Sequence, residues 1–447
     1  MHPITQHSDV AFWRSLVLGQ LRVLLENSPS YTPERTQACL DLMNKHVIGA
    51  LGPQPTSPLA PWKSYLTDDH SPVEYSLSIK KGACVVRLAI EPLTRESGTV
   101  SDPVNSLAPS RWLSEFKNPE DRAMEWFTKL SEHLTISPHS SVPIQTAASG
   151  LTQYVFALDL NEDPMLKAYI FHDALVRQVS PSPSEWRKQK HMALTEALSS
   201  IGLSTPWNKV ITYLDTLSKT QPECVGQAEF ISWDVVEPEK ARVKIYVRFA
   251  KADLPQLLSH LDLGGTLDKT KKHTQEIQAA ATELWNIFAR EDGDSNLVTD
   301  NIDDQSARTR GVILYYELKL GSDEPVAKCK CSCFLTTAKT DNFQVYIPIR
   351  HYFTSDLRIA ERFDAFLASK QIAAPGWYTS VLGSYCNHRG LDTRSGLQTM
   401  LGCAVRGGEW ELSMYISAEA YAPERWQKSY RLGMTVPSYS PSSYSRL

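Results

Sequence analysis

The strongest constraint on this chain is a rhythm. Two helical stretches and then a β-hairpin recur five times, at a spacing of roughly 80 residues. The first hairpin is VEYSLSIKKGACVVRLAIEP, turning near Lys81-Gly82. The second runs from LTQYVFALDL to MLKAYIFH through Asn161-Glu162-Asp163-Pro164, and the third from QAEFISWDVV to ARVKIYVRF around Glu237-Pro238-Glu239. GVILYYELKL returns as FQVYIPIRHY, and GLQTMLGCAV returns as EWELSMYIS around Gly407-Gly408. All show period-two alternation, β-branched and aromatic residues, and turn residues in the middle. Apolar residues at three- and four-residue spacing predict helices over 9–26, 33–49, 119–134, 183–202, 205–218, 269–290, 354–369 and 375–385. Thr354 or Ser355 is placed to cap the helix containing Leu357. Five hairpins make ten antiparallel strands, and an open sheet of that size would leave long unpaired edges. The expectation is one α/β (α+β) domain over 1–447: a closed ten-stranded antiparallel barrel ringed by helices, with 1–72 as N-terminal helices. Residues 321–342 break the rhythm and read as an insertion, an extra strand pair or a loop over the barrel mouth, and 436–447 as a flexible tail.

Composition narrows the function. With 447 residues and a net charge of −4, no global basic field draws the chain to nucleic acid. No apolar run approaches the roughly 20 residues that span a bilayer. The start, MHPITQHSDVAFW, lacks a basic end followed by an apolar stretch, so a cytoplasmic protein with reduced thiols is expected from its eight cysteines. Ser445-Arg446-Leu447 is close to a peroxisomal address, with a plain polar tail as the alternative. Cys329, Cys331 and Cys333 lack the spacing and second ligand pair of structural zinc. LGGTLDKTKK is not a phosphate-binding P-loop, and no G-x-S-x-G nucleophile turn is present.

The strands carry a second pattern. Lys167-Ala168-Tyr169, Lys244-Ile245-Tyr246 (with Arg242 two residues earlier) and Gln344-Val345-Tyr346 each send a donor and an aromatic ring to one face. If these faces meet, they form a site for an anion joined to something cationic or flat. Centring the first hairpin between Lys80 and Lys81 puts Glu74 opposite Arg87, either as an ordinary ion pair or as a carboxylate held ionised to accept a substrate N–H. Arg87, Lys167, Arg242 and Lys244 then crowd the interior, where unpaired charge is costly and a bound diphosphate would balance it. Tyr169, Tyr246, Tyr346 and Tyr415 could bind phosphate oxygens or shield a carbocation by cation–π attraction.

PVEYSLSIKKGACVVRLAIEP, LKAYIF, ARVKIYV, QVYIPIRHY and RGLDTRSGLQTM resemble the fungal aromatic prenyltransferases of the dimethylallyltryptophan synthase type, the indole prenyltransferases, over most of the chain. The resemblance implies five ααββ units around a ten-stranded barrel, the ABBA or PT barrel. It implies transfer of a prenyl group from dimethylallyl diphosphate, the co-substrate, to an electron-rich aromatic ring, with no metal and no other cofactor. In agreement, Asp303-Asp304-Gln305-Ser306-Ala307 lacks the third carboxylate of an Asp-Asp-x-x-Asp motif. Glu74 matches the glutamate that accepts the indole N–H. Arg87, Lys167, Arg242, Lys244 and Gln344 match diphosphate binders, as does Arg406 beside its turn. Tyr169, Tyr246, Tyr346 and Tyr415 match the shield around the allylic cation. Met400 stands where a tyrosine is common, opposite Tyr415 if the last hairpin is centred between Gly407 and Gly408. The resemblance also implies a ring-proton base, a lysine in some members of the family, and Tyr154 stands near that position here. The implied partners are a prenyl diphosphate and a small aromatic acceptor, with neither nucleic acid nor membrane, and a homodimer left open. The acceptor reads as an indole (tryptophan, a cyclic dipeptide or a relative). A phenol such as tyrosine or a polyketide is one alternative, and a non-catalytic ligand-binding barrel another.

Overall fold

The computed structural model describes residues 3–118, 120–136, 151–173, 175, 183–249, 254–266, 271–288, 311–323, 325–327, 343–406 and 409–425. Asp303–Ala307, the three clustered cysteines, residues 328–342 and the tail over 436–447 lie outside them, so the expectations placed there stand as expectations.

Strands β1 (Val73–Lys80), β2 (Ala83–Ile90), β3 (Tyr154–Asp159), β4 (Met165–Phe171), β5 (Gln227–Asp234) and β6 (Val243–Phe249) pair in sequence as neighbours. They are followed by β7 (Val312–Leu318), the two-residue β8 (Val326–Ala327), β9 (Phe343–Ile347), β10 (Gln398–Arg406) and β11 (Glu409–Ser417). β7 pairs with both β6 and β9, and β11 pairs with β1, all antiparallel, so ten strands close into a ring. β8 adds a short edge to β7 and lies within the described part of the 321–342 segment.

Two helices precede each hairpin. The expected helices are present, with Ser355 capping Asp356–Ser369 by accepting from the Arg358 N–H. The 9–26 stretch contains a π-helical turn at Arg14–Leu18 between two α-helical pieces. Leu107–Phe116 and Leu254–Leu261 are helices that the periodicity did not reveal, and they complete the five pairs. Both are short, so each offers few repeats of an apolar stripe.

Alternation along the strands divides the molecule into two apolar regions. Tyr75, Leu77 and Ile79 of β1 belong to the large cluster shared with the surrounding helices, including Trp13, Val17, Leu21 and Tyr385. Full burial of such a side chain contributes roughly 1.5–3 kcal/mol. Tyr75 is also tied to the π-helical turn by its hydroxyl, which donates to the Val17 carbonyl at 3.1 Å. Inside the ring a separate cluster forms from Tyr246, Ile313, Tyr315 and Tyr346, with Tyr169, Phe230, Met400 and Tyr415 against it. Among the described residues no helix is long and apolar enough to cross a membrane.

One expected register is corrected. Lys80 pairs with Ala83, so the first hairpin is centred between Lys81 and Gly82. Gly82 has φ +72°, a conformation glycine adopts without penalty, and this permits a two-residue turn at Lys81-Gly82. Glu74 therefore faces Ala89, and Arg87 faces Ser76. The shift is two residues, so both remain on the inward face. In the last hairpin Met400 does pair with Tyr415.

Candidate active site

The inner wall nearest the hairpin turns is a belt of alternating charge. Arg87 of β2 sits opposite Asp159 of β3, Lys167 of β4 opposite Asp234 of β5, and Lys244 of β6 opposite Glu317 of β7. Arg87 Nε lies 3.2 Å from Asp159 Oδ1, and Lys167 Nζ donates to Asp159 Oδ2 at 2.5 Å. Arg242 Nε donates to Asp234 Oδ2 at 2.7 Å and its Nη1 lies 4.0 Å from Glu317. The four interior cations expected from the sequence are present on this wall, but they are not bare. Three buried carboxylates already balance most of their charge, because a low-dielectric interior cannot hold four bare cations. Asp159, Asp234 and Glu317 were missed, although each lies in inward phase with a residue that had been singled out.

Burial and neighbours set the protonation of this belt. Burial pushes the Asp159 carboxyl up, but Arg87 and then Lys167 outweigh it and hold it below the usual range. Burial lowers Lys244 to about 7, helped by the nearby Lys167 and opposed by Asp234. Its Nζ lies 5.5 Å from the centroid of the Tyr315 ring.

Below the belt stands an aromatic layer. Ring centroids are 6.4 Å apart for Tyr169–Tyr246, 5.9 Å for Tyr246–Tyr346 and 6.1 Å for Tyr346–Tyr415. Tyr315 joins them, 5.3 Å from Tyr246 and 6.1 Å from Tyr346, a fifth inward tyrosine not singled out in the sequence. Adjacent tyrosines in LYYEL point oppositely, and only the strand phase tells which enters the barrel. Burial, reinforced by neighbouring phenols, raises the pKa of Tyr169, Tyr246 and Tyr346 above its usual value, so all three stay neutral donors. Gly402 faces Tyr346, and a Cβ there would lie 3.0 Å from that ring, so the missing side chain lets the ring rest on β10. Met400 packs against this cluster as well. Gln344 pairs with Ala404 and Arg406 with Glu409, while their side chains lie outside the described residues.

Glu74 occupies the end of β1 away from the turns. It is not paired with Arg87. Thr399 Oγ1 donates to its Oε1 at 2.7 Å, and the charges of Arg350 and Asp68 act on it with opposite sign. Burial, opposed by the Thr399 hydrogen bond and Arg350, raises its carboxyl to about 8. The expectation of a carboxylate kept ionised by a partner is therefore corrected: at neutral pH burial favours the acid. Tyr154, the sequence candidate nearest a ring-proton base, faces the helices. Its ring stacks on Phe127 at 5.5 Å, and its hydroxyl lies 3.0 Å from Thr135 Oγ1.

The segment RGLDTRSGLQTM builds the floor beside Glu74. Arg389 bridges Asp356 and Glu419 at 2.5 and 2.9 Å, and Asp356 accepts from the Leu397 and Gln398 N–H groups at 3.1 and 2.9 Å. Among the described residues, Cys386, His388 and Glu419 form the one cluster with metal-ligand chemistry. Glu419 already receives His388 at 2.7 Å, Arg389 and Arg394 at 2.9 Å, so the cluster reads as an ion-pair clamp rather than a metal centre.

Comparison with known proteins bears on this geometry. The chain is 28% identical over 411 residues to 4-O-dimethylallyl-L-tyrosine synthase of Claviceps purpurea, covering 90% of this chain and 86% of the relative. It is 26% identical over 448 residues to 7-dimethylallyltryptophan synthase of Aspergillus fumigatus, covering 94% and 87%. Among solved structures, AnaPT from Neosartorya fischeri aligns with TM-score 0.70 at 21% identity, covering 89% of this chain and 91% of that one. NotF in complex with brevianamide F and DMSPP aligns with TM-score 0.69 at 18% identity, covering 90% and 92%. The barrel of this chain is thus the fold of these aromatic prenyltransferases. The family model for tryptophan dimethylallyltransferase matches residues 9–375, and the chain belongs to that family of prenyltransferases.

Proposed function

We propose that the protein transfers a dimethylallyl group from dimethylallyl diphosphate to an indole-containing acceptor by electrophilic aromatic substitution, without a metal ion. The observation that carries this is the stacking of three chemistries along one lumen: a belt of cations held among carboxylates, a ring of neutral tyrosines, and a buried carboxyl. Arg87, Lys167, Arg242 and Lys244 hold the diphosphate, with Gln344 and Arg406 as further donors. As the allylic C–O bond breaks, its electron pair leaves on the diphosphate, and preorganised cations stabilise that charge as it grows. Tyr169, Tyr246, Tyr315, Tyr346 and Tyr415 face the allylic cation and keep water from it, each close ring contributing ~2 kcal/mol or more when dry. Glu74 accepts the ring N–H, and that contact favours its ionised form against the burial that favours the acid. The aromatic carbon supplies the pair for the new C–C bond, and the ring then loses its proton to a group other than Tyr154.

A phenolic acceptor is the second reading, favoured by the similarity to a tyrosine O-prenylating relative. Glu74 would then accept an O–H. One experiment decides both points: acceptors are screened with dimethylallyl diphosphate by mass spectrometry, using wild type and Glu74→Gln. Turnover of an indole that falls by ~10²–10⁴-fold in the variant is expected. Wild-type turnover by the variant removes Glu74 from the reaction, and product from tyrosine alone selects the phenol reading. Product from no acceptor at all, with tight diphosphate binding, favours a non-catalytic barrel.

A further inference from the structure

Strand β10 does not run regularly past Glu74. Gln398 pairs with Ile416 and Met400 with Tyr415, so Thr399 is an extra residue on that strand, a β-bulge. Bulges re-aim side chains, and here the extra residue turns its hydroxyl onto Glu74 Oε1 at 2.7 Å. The bulge is held from three sides. Arg350 Nη1 donates to the Thr399 carbonyl at 2.7 Å and forms an ion pair with Asp68. Asp356 receives the two N–H groups just before the bulge, and Gln398 Nε2 donates to the Asp356 carbonyl at 2.7 Å. Arg389, buried to 1% side-chain exposure, fixes Asp356 in turn. Thr399 is 4% exposed and Glu74 9%, so water does not replace this bond freely.

We propose that Thr399, carried on the β10 bulge and tethered by Arg350, is a positioning residue that aims the Glu74 carboxylate at the acceptor and leaves its other oxygen free to receive the substrate hydrogen. The proposal rests on the reading of Glu74 as the acceptor contact. Its chemistry is specific. A threonine hydroxyl donates one hydrogen bond and occupies one carboxylate oxygen, which fixes the plane of the group. The charged and titratable groups facing Glu74 are Arg350 and Asp68, Tyr415 of β11, and Asp69 through Ser417, which pairs with Glu74 across β1 and β11. The Thr399 hydrogen bond and Arg350 favour the ionised form, and burial and then Asp68 oppose it.

The test uses the full chain with Thr399→Val, Thr399→Ser, Thr399→Ala and Glu74→Gln. Infrared difference titration follows the protonated carboxyl band that is lost in Glu74→Gln. The midpoint of that band is expected to rise by about one pH unit in Thr399→Val and to stay near wild type in Thr399→Ser, because one hydrogen bond to the charged form has been removed or kept. The acidic limb of kcat/KM for the acceptor moves with it, a roughly ten-fold loss at fixed pH on that limb. The affinity for inorganic diphosphate stays unchanged. An unmoved midpoint in a folded Thr399→Val protein overturns the proposal. If that variant does not fold, Thr399→Ala decides: a raised midpoint supports the Thr399 contact, and an unmoved one overturns it. A moved midpoint with wild-type turnover by Glu74→Gln supports the Thr399 contact and rejects the reading of Glu74 on which its role in turnover rests.

Discussion

Asp159 is the most exacting residue on which to test the charge belt. It contacts both Arg87 and Lys167, and its side chain is 6% exposed. Replacing it by asparagine keeps the shape and removes the charge, leaving two buried cations with less compensation. Breaking a buried pair by removing one partner costs about 3–5 kcal/mol. For a chain of 447 residues, an unfolding entropy of ~2.1 cal/mol/K per residue makes 3 kcal/mol a fall of about 3 °C in Tm. Lys167 can escape part of the cost by losing its proton, so the measurement belongs near pH 6. The opposite sign is expected for ligand binding. A carboxylate about 5 Å from a diphosphate oxygen repels each unit of charge by roughly 3 kcal/mol at an effective dielectric of ~20. Even with some loss of order at Arg87 and Lys167, Asp159→Asn should bind inorganic diphosphate at least ~10-fold more tightly, about 1.4 kcal/mol. Saturating diphosphate should then close the Tm gap to wild type. Calorimetric titration and thermal unfolding on the same samples check both halves. An unchanged Tm together with weaker diphosphate binding refutes the reasoning, because it makes Asp159 a positioner of the cations and not their counter-charge.

Turnover is expected to survive excess EDTA, since side-chain cations face the diphosphate; loss restored by Mg²⁺ counts against the proposed site. Met400→Tyr adds bulk and a π face opposite Tyr415, so kinetics with both donors should show geranyl diphosphate disfavoured more than the five-carbon donor. Equal effects on the two place Met400 away from the prenyl chain. Lys244, at about 7, binds a proton as diphosphate arrives, so affinity should weaken as pH rises above 7, by at most about one decade per pH unit. Lys244→Met removes that part of the slope, and comparing it with wild type separates Lys244 from the ligand's own titration.

Much of this was legible in the sequence because a barrel strand repeats every two residues. That period places Lys167 with Tyr169 and Lys244 with Tyr246 whatever the exact register. It therefore survives the two-residue error at Lys81-Gly82, which misassigned the partner of Glu74 without turning it outward. Contacts between distant strands were not legible. Asp159 meets Lys167 within one hairpin and could have been found by continuing the alternation. Thr399 and Glu74 belong to strands β10 and β1, which ring closure brings to either side of β11, and a bulge has no period to read. The raised carboxyl of Glu74 was hidden for a related reason. Its cause is burial by many elements at once, which no local pattern encodes.

The seam between β1 and β11 has a consequence for how the molecule comes to be. The first hairpin of the barrel must wait for the last, and the Thr399–Glu74 hydrogen bond spans 325 positions of chain. Closing so long a loop is entropically costly, and contacts of this separation slow folding. Each helix pair and hairpin can gather locally beforehand, but the aimed carboxylate exists only after the ring is joined. During refolding, helical circular dichroism should therefore recover ahead of enzymatic activity, which makes turnover a clock for the final act of assembly.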